Sequence, residues 1–348
     1  MFKSAGRDVL PGTIVWVAPF YNRSGYGVAA RAFVSNLRRA GCRIRIVPVD
    51  EVDPGIDDCD LDLFRSLQET PMVAPVTAII SHVPNRAWLS LKLPEPNLRI
   101  LSTTFDSGVQ GNLPPAEWIG VCSRMDQLWL ASEKEKQVFV SAGIPSEKIL
   151  VVQPPHPWLE NAALPPAAPE EMPGGRFRFL SIAMFQPRRR WDTLVEAYLQ
   201  EFKGGENVEL YLKVNYPPWH PVPGKPRADL LELIRRLREK TASRAKITVD
   251  DDLGTRKGIV EVIDGCNAYV STDTAATAPI FEAWVRKRLV VVTGGLGLTY
   301  PSNCFIQIRV DPAARGPLTK EMLEYQPHHK DAFMPLLHVA DVRAALRT

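Results

Sequence analysis

A chain of 348 residues, 45% hydrophobic and 23% charged, has an ordinary globular balance and is too long for one small core, so two domains of common size are expected. A net charge of +3 does not point to nucleic acid. No run approaches the ~20 apolar residues of a membrane span, and the first residues, Met-Phe-Lys-Ser-Ala-Gly-Arg, lack an apolar signal core.

The five cysteines (Cys42, Cys59, Cys122, Cys266, Cys304) are scattered and lack metal-ligand spacing. Reduced thiols and a cytoplasmic location are therefore expected. In chain order, residues 13–18 read as a buried strand. A loop carrying Ser24, Gly25, Tyr26 and Gly27 follows, then a helix over 28–40 stopped by Gly41 and a strand over 43–49. The two loop glycines permit a tight turn whose amides would face a phosphate or an acceptor hydroxyl; turn chemistry alone also explains them. Residues 76–81 form the next strand, with His82 at its carboxyl end, where ligands of parallel sheets bind. The plainer reading is a loop histidine bonded to backbone. A strand over 98–102 leads to Thr103-Thr104-Phe105-Asp106, and Asp106 is either a cleft residue or a turn former. After a strand over 127–131, the capping box Ser132-Glu-Lys-Glu135 opens a helix that ends at Gly143, and 149–153 is the last strand of this half. Residues 157–175, rich in proline and glycine, read as a linker, which gives domains over 1–172 and 173–348.

The second half restarts the alternation with a strand over 176–183 and the run Met-Phe-Gln-Pro-Arg-Arg-Arg up to Arg190. An amphipathic helix over 191–202 follows. Three arginines ahead of a helix N-terminus make an anion site of fixed charge and free amides. A merely solvated basic loop is disfavoured, because these charges repel one another and the helix end unless an anion is present. Strands over 207–214 and 246–249 and helices over 228–240 and 255–266 lead to a strand over 268–271. Asp250-Asp-Asp252 suggests a metal at first sight but reads as a solvated turn. The loop carrying Thr274, Ala275, Ala276, Thr277 and Ala278 has only small side chains, so a ligand would approach its backbone closely. Pro279 marks a helix start whose amides suit phosphate. Glu282, about one turn behind, is placed to accept hydrogen bonds from ribose hydroxyls. An ordinary strand–helix–strand unit with a surface glutamate is the plain alternative. A buried strand over 289–292 follows, and 328–348 reads as one or two helices.

Three groups of residues carry a resemblance: Ser24-Gly-Tyr-Gly27 followed by Ala30-Arg31; Phe179-Leu-Ser181 with Arg188, Asp192, Leu194 and Glu196-Ala-Tyr198; and Pro279, Glu282 and Ala283. Their order and spacing resemble those of family-4-like retaining glycosyltransferases of the GT-B fold. The resemblance implies an α/β chain with two facing Rossmann-like domains, each on a parallel sheet, and a nucleotide sugar held between them mainly by the C-terminal half. The implied reaction moves a sugar from a nucleoside-diphosphate sugar to a glycan, lipid-linked or protein acceptor with retained configuration. No cofactor, metal or nucleic acid is implied, and a peripheral contact with the inner face of the membrane is compatible with it. By the same carry-over, His82, Arg188 and Arg189 are catalytic. Arg188, Arg189, the loop 274–278 and Glu282 hold the donor, with Glu282 on the ribose. Ser24, Gly25, Tyr26, Gly27 and Asp106 lie on the acceptor side. Arg189 stands for a lysine of the family pattern and Arg190 for a glycine. The first of the family's two glutamates is absent, with Thr274 in its place, and Ala275 and Thr277 replace loop glycines. That departure points to a smaller or deoxygenated donor sugar. Its rivals are a decayed, binding-only scaffold and a nucleotide-sugar epimerase or hydrolase of the same architecture.

Overall fold

The computed structural model describes residues 12–22, 24–52, 58–93, 96–105, 113–155, 175–216, 220–252, 256–273, 278–294, 305–310, 315–317 and 333–347. They fall into two compact units, one made of the described residues up to 155 and the other of those from 175 on. The expected boundary at 172–173 lies outside the described residues.

In the first unit, β1 (Thr13–Ala18), β2 (Arg43–Pro48), β3 (Val76–Ser81), β4 (Leu98–Ser102), β5 (Gln127–Leu130) and β6 (Ile149–Val151) form a parallel sheet in the order β2-β1-β3-β4-β5-β6. Every residue of β1 is buried. The period-two alternation of a strand explains how. Ile14, Trp16 and Ala18 pack with Phe33 and Val34 of α1 (Gly25–Arg39) and Phe64 of α2 (Asp58–Gln68). Val15 and Val17 face the other way, into a cluster with Val121 of α3 (Ala116–Cys122) and Phe139 of α4 (Glu133–Ser141). With helices on both faces, the strand has no polar side to show. Ser132 caps α4 by accepting from the Glu135 amide at 3.2 Å, and Gly41 and Gly143 take left-handed φ of 88° and 96° just past α1 and α4.

The second unit repeats the plan. Strands β7 (Phe177–Met184), β8 (Val208–Asn215), β9 (Lys246–Asp250), β10 (Ala268–Ser271), β11 (Leu289–Thr293) and β12 (Ile306–Ile308) are parallel, in the order β12-β11-β10-β7-β8-β9. The chain moves outward from β7 to β9, returns to the other side of β7 and moves outward again, as in a dinucleotide-binding Rossmann sheet. Helices α5 (Trp191–Glu201), α6 (Lys225–Thr241), α7 (Arg256–Asp264) and α8 (Ala278–Val285) connect these strands. Phe179, Leu210, Leu212, Val270 and Val291 bury one face with α5 and α6, while Leu180, Tyr269, Val290 and Val292 bury the other with Ile263 and Ile280.

The C-terminal region meets expectation in part. Residues 328–348 were expected to hold one or two helices; among the described residues one is found, α9 (Val339–Arg347), while β14 (Phe333–Pro335) pairs antiparallel with β13 (Arg315–Pro317). It packs on α5 within its own unit: Val342 and Leu346 join the core, and Arg343 and Arg347 both reach Glu201, at 3.1 and 2.7 Å. Among the described residues no helix is long and apolar enough to cross a membrane.

Candidate functional site

In an open parallel sheet the loops on either side of the strand-order reversal part from one another and leave a crevice at the carboxyl ends of the strands. In the second unit that point lies between β7 and β10. The loop after β7 carries Gln186 and the three arginines, and the loop after β10 begins with Thr272 and Asp273. Asp273 is 2% exposed and ion-pairs with both Arg188, at 3.2 Å, and Arg189. Arg188 also donates from Nε to Gln186 Oε1 at 3.2 Å. The Thr272 hydroxyl donates to the Arg189 carbonyl at 2.7 Å, tying the two loops together. Beneath them a cavity of about 10 Å³, lined by Ser181, Ser271, Thr272, Asp273, Arg189 and Trp191, has room for about one water molecule.

This arrangement revises one step of the sequence argument. The arginines were expected to require an external anion, yet Asp273 supplies a buried counter-charge inside the protein. The cluster of Arg188, Arg189 and Asp273 still carries one net positive charge. Arg190 turns away, to the Thr193 hydroxyl at 2.9 Å and Asp192 at 3.5 Å. It occupies the N-cap position of α5 with φ 53° and ψ 43°, and its side chain makes no cap hydrogen bond. That left-handed backbone explains why glycine would suit this position.

Thr274, Ala275, Ala276 and Thr277 lie outside the described residues, as does the side chain of Ala278. Glu282 is described. It lies on the fifth residue of α8, 5% exposed, and so is not the surface glutamate of the plainer reading. Its Oε1 accepts from Arg286 Nε at 2.6 Å, and its Oε2 is buried with no hydrogen-bond partner among the described residues. The Asp250–Asp252 turn is not simply solvated either. Asp250 accepts from Lys213 Nζ at 2.8 Å and the Tyr211 hydroxyl at 2.6 Å, and Asp251 pairs with Arg227 at 2.6 Å.

In the first unit the order reverses between β1 and β3, and there the structure brings together Tyr26 and His82. Their rings stack with centroids 5.5 Å apart and planes 14° apart. Trp88 packs on the histidine at 5.2 Å, and Nδ1 of His82 lies 3.4 Å from the Val83 carbonyl. Burial holds the His82 pKa below its usual value. The Tyr26 hydroxyl lies 3.2 Å from that of Thr103, and burial pushes its pKa up to about 12. The glycine loop differs from its expected form. Ser24, Gly25 and Gly27 form the N-cap and first turn of α1, and the Gly27 amide donates to Ser24 Oγ at 3.1 Å instead of facing a ligand. A Cβ on Gly27 would sit 2.6 Å from the carbonyl oxygens of both Pro19 and Asn22, so close backbone approach is what requires this glycine. Asp106 lies outside the described residues. Beside Thr104 and Phe105 lies the buried acid Glu135, whose carboxylate accepts from Thr104 Oγ1 at 2.5 Å and from the Phe105 and Ala131 amides at 3.0 and 2.7 Å.

Sequence reasoning passed over Asp273, Gln186, Arg286 and Trp88. For Asp273 a signal was present: an acid two residues past a buried strand at the switch point of a doubly wound sheet.

No protein-family model matches the sequence, and no curated protein does. Solved structures do resemble it. Against the E. coli trehalose-6-phosphate protein bound with UDP-2-fluoro glucose, the TM-score is 0.61 at 11% identity, covering 96% of this chain and 90% of that one. For Anabaena Alr3699/HepE in complex with UDP and glucose it is 0.57 at 12% identity, over 84% and 85% of the two chains. For the UDP-forming α,α-trehalose-phosphate synthase of Burkholderia vietnamiensis it is 0.55 at 11% identity, over 96% and 94%. The fold is GT-B. Within it, the GT-B reading matches each unit as found: a six-stranded parallel sheet with helices on both faces and polar residues gathered at the carboxyl ends of the central strands.

Proposed function

We propose that this GT-B chain is a glycosyltransferase that takes its sugar from a nucleoside diphosphate and transfers it with retained configuration. The observation that carries the reading is the cluster at the β7–β10 switch point. Two arginines on one loop share a single buried aspartate on the other, and the uncapped N-terminus of α5 lies next in the chain. A diphosphate brings more negative charge than Asp273 offers, and fixed guanidinium groups suit it geometrically. As the sugar departs, negative charge grows on the leaving diphosphate, and arginines already in place stabilise it without reorganising. Glu282 then receives the ribose hydroxyls on Oε2, which has no partner among the described residues. Neighbours of similar fold that hold UDP or UDP sugars support this assignment. In the first unit, His82, fixed between Tyr26 and Trp88, is the group offered to the sugar, with Ser24, Gly25 and Tyr26 beside it on the acceptor side. Glycan, lipid-linked and protein acceptors all fit this reading.

One observation favours a binding-only protein instead: Thr274 and its neighbours lack the carboxylate and glycines that the family pattern sets against the sugar. A threonine hydroxyl gives a sugar a weaker hydrogen bond than a carboxylate does, and methyl-bearing Ala275 and Thr277 narrow the space. The expected activity is therefore toward a deoxy sugar or pentose donor. A panel of nucleotide sugars assayed for hydrolysis and transfer tests this. Strong turnover of glucose or mannose donors contradicts the altered-donor reading, and tight nucleotide binding without turnover of any donor supports the binding-only one.

A further inference from the structure

Glu282 is a buried acid with one oxygen hydrogen-bonded and the other, among the described residues, without a partner. An unmet buried acceptor costs about 1–3 kcal/mol, so its persistence calls for a reason. The satisfied oxygen is held by Arg286, one turn further along α8, at 2.6 Å. Arg286 is itself anchored: its Nη1 donates to both carboxylate oxygens of Asp264, at 2.8 and 2.6 Å, and Asp264 is the last residue of α7. Arg288 lies 3.6 Å from the same carboxylate. Solvated i,i+4 pairs on helices are weak and interchangeable. This one is neither solvated nor isolated, since the side chains of Glu282 and Arg286 are 6% and 18% exposed and a second helix fixes the arginine.

We propose that Arg286 is a positioning residue for nucleotide recognition, an inference that rests on the nucleotide-binding reading above. Held by Asp264, it fixes the Glu282 carboxylate and occupies Oε1, so that Oε2 is left as the acceptor for a ligand. A carboxylate oxygen has no proton to give, so it selects ligand groups that donate. The vicinal hydroxyls of a ribose supply such donors, and a 2′-deoxyribose supplies one fewer. Arg286 thus sets how strictly the site distinguishes ribonucleotides from deoxyribonucleotides, without touching either.

The test is calorimetry on the full chain with UDP and 2′-deoxy-UDP, and with the matching ADP and GDP pairs. Wild type is expected to prefer the ribonucleotide by about tenfold or more in at least one pair, and Glu282→Gln to lose most of that preference. Arg286→Leu should lose it as Glu282→Gln does, and Arg286→Lys should keep part of it. A residue that only braces the helix would lower the melting temperature and leave the ratio alone. The inference is overturned if Arg286→Leu keeps the wild-type ratio while Glu282→Gln abolishes it; the nucleotide reading then survives. If wild type binds none of these nucleotides, that reading fails and takes the inference with it. Should Arg286→Leu not fold, Asp264→Asn reads the same ratio: a fall supports the positioning role, and an unchanged ratio overturns it.

Discussion

Gly25 and Gly27 lie two residues apart in the first turn of α1, yet have different physical jobs. A Cβ on Gly25 would meet nothing within 4 Å, and one on Gly27 would press on two carbonyl oxygens at 2.6 Å. Gly25→Ala is therefore expected to be neutral or to stabilise by up to ~1 kcal/mol through helix propensity, whereas Gly27→Ala should destabilise by ~1–3 kcal/mol through overpacking. Urea denaturation of both variants checks this, and equal effects would contradict it. His82 makes a second residue-scale case. Its folded pKa is lowered, so between that value and the ordinary one near ~6.5 the unfolded chain binds more protons, and this part of the stability rises with pH. An NMR titration should place the His82 midpoint below that of an exposed histidine, and Tyr26→Leu, which strips one covering ring, should move it back up. A wild-type midpoint at or above the ordinary value would contradict the burial account.

At the scale of elements, the start of α5 holds a residue in a region that favours glycine. Arg190 sits at φ 53°, a conformation that costs an L-residue roughly 1–2 kcal/mol. Arg190→Gly relieves that strain but loses the contact with Thr193, so its melting temperature should lie close to wild type. Arg190→Val adds β-branched crowding and should melt clearly lower. A valine variant as stable as the glycine one would show the strain to be unimportant. Much of this architecture was legible in the sequence. The strands over 13–18, 76–81, 98–102 and 268–271 were expected at the positions where they occur, because buried parallel strands are short apolar runs bounded by turn residues. Helices α2 and α3 had no counterpart among the expected elements; α3 is only 7 residues long and has no side-chain cap. The pairing of β14 with β13 joins residues from about 16 to 20 positions apart, a partnership that local pattern does not encode. The site was legible in part for the same reason: Arg188, Arg189 and Glu282 announced themselves by type and place, while the Asp273 bridge and the Arg286 brace depend on which loops the topology sets side by side.

For the whole molecule, a ligand that binds only the folded state raises its melting temperature in proportion to the logarithm of its concentration over Kd. A nucleoside diphosphate should therefore protect the chain thermally, while inorganic phosphate, which lacks the ribose that Glu282 would receive, should protect it less. Equal protection by both would reduce the site to a general anion pocket. The most direct measurement of the central claim is calorimetric titration of UDP, ADP and GDP into wild type and into the Arg188→Ala, Arg189→Ala double variant. At least one of these nucleotides is expected to bind wild type, and the double variant to bind it at least about tenfold more weakly, ~1.4 kcal/mol or more. Unchanged affinity in the double variant, or no binding of any of the three to wild type, would contradict the assignment of the β7–β10 switch point as a nucleotide-diphosphate site.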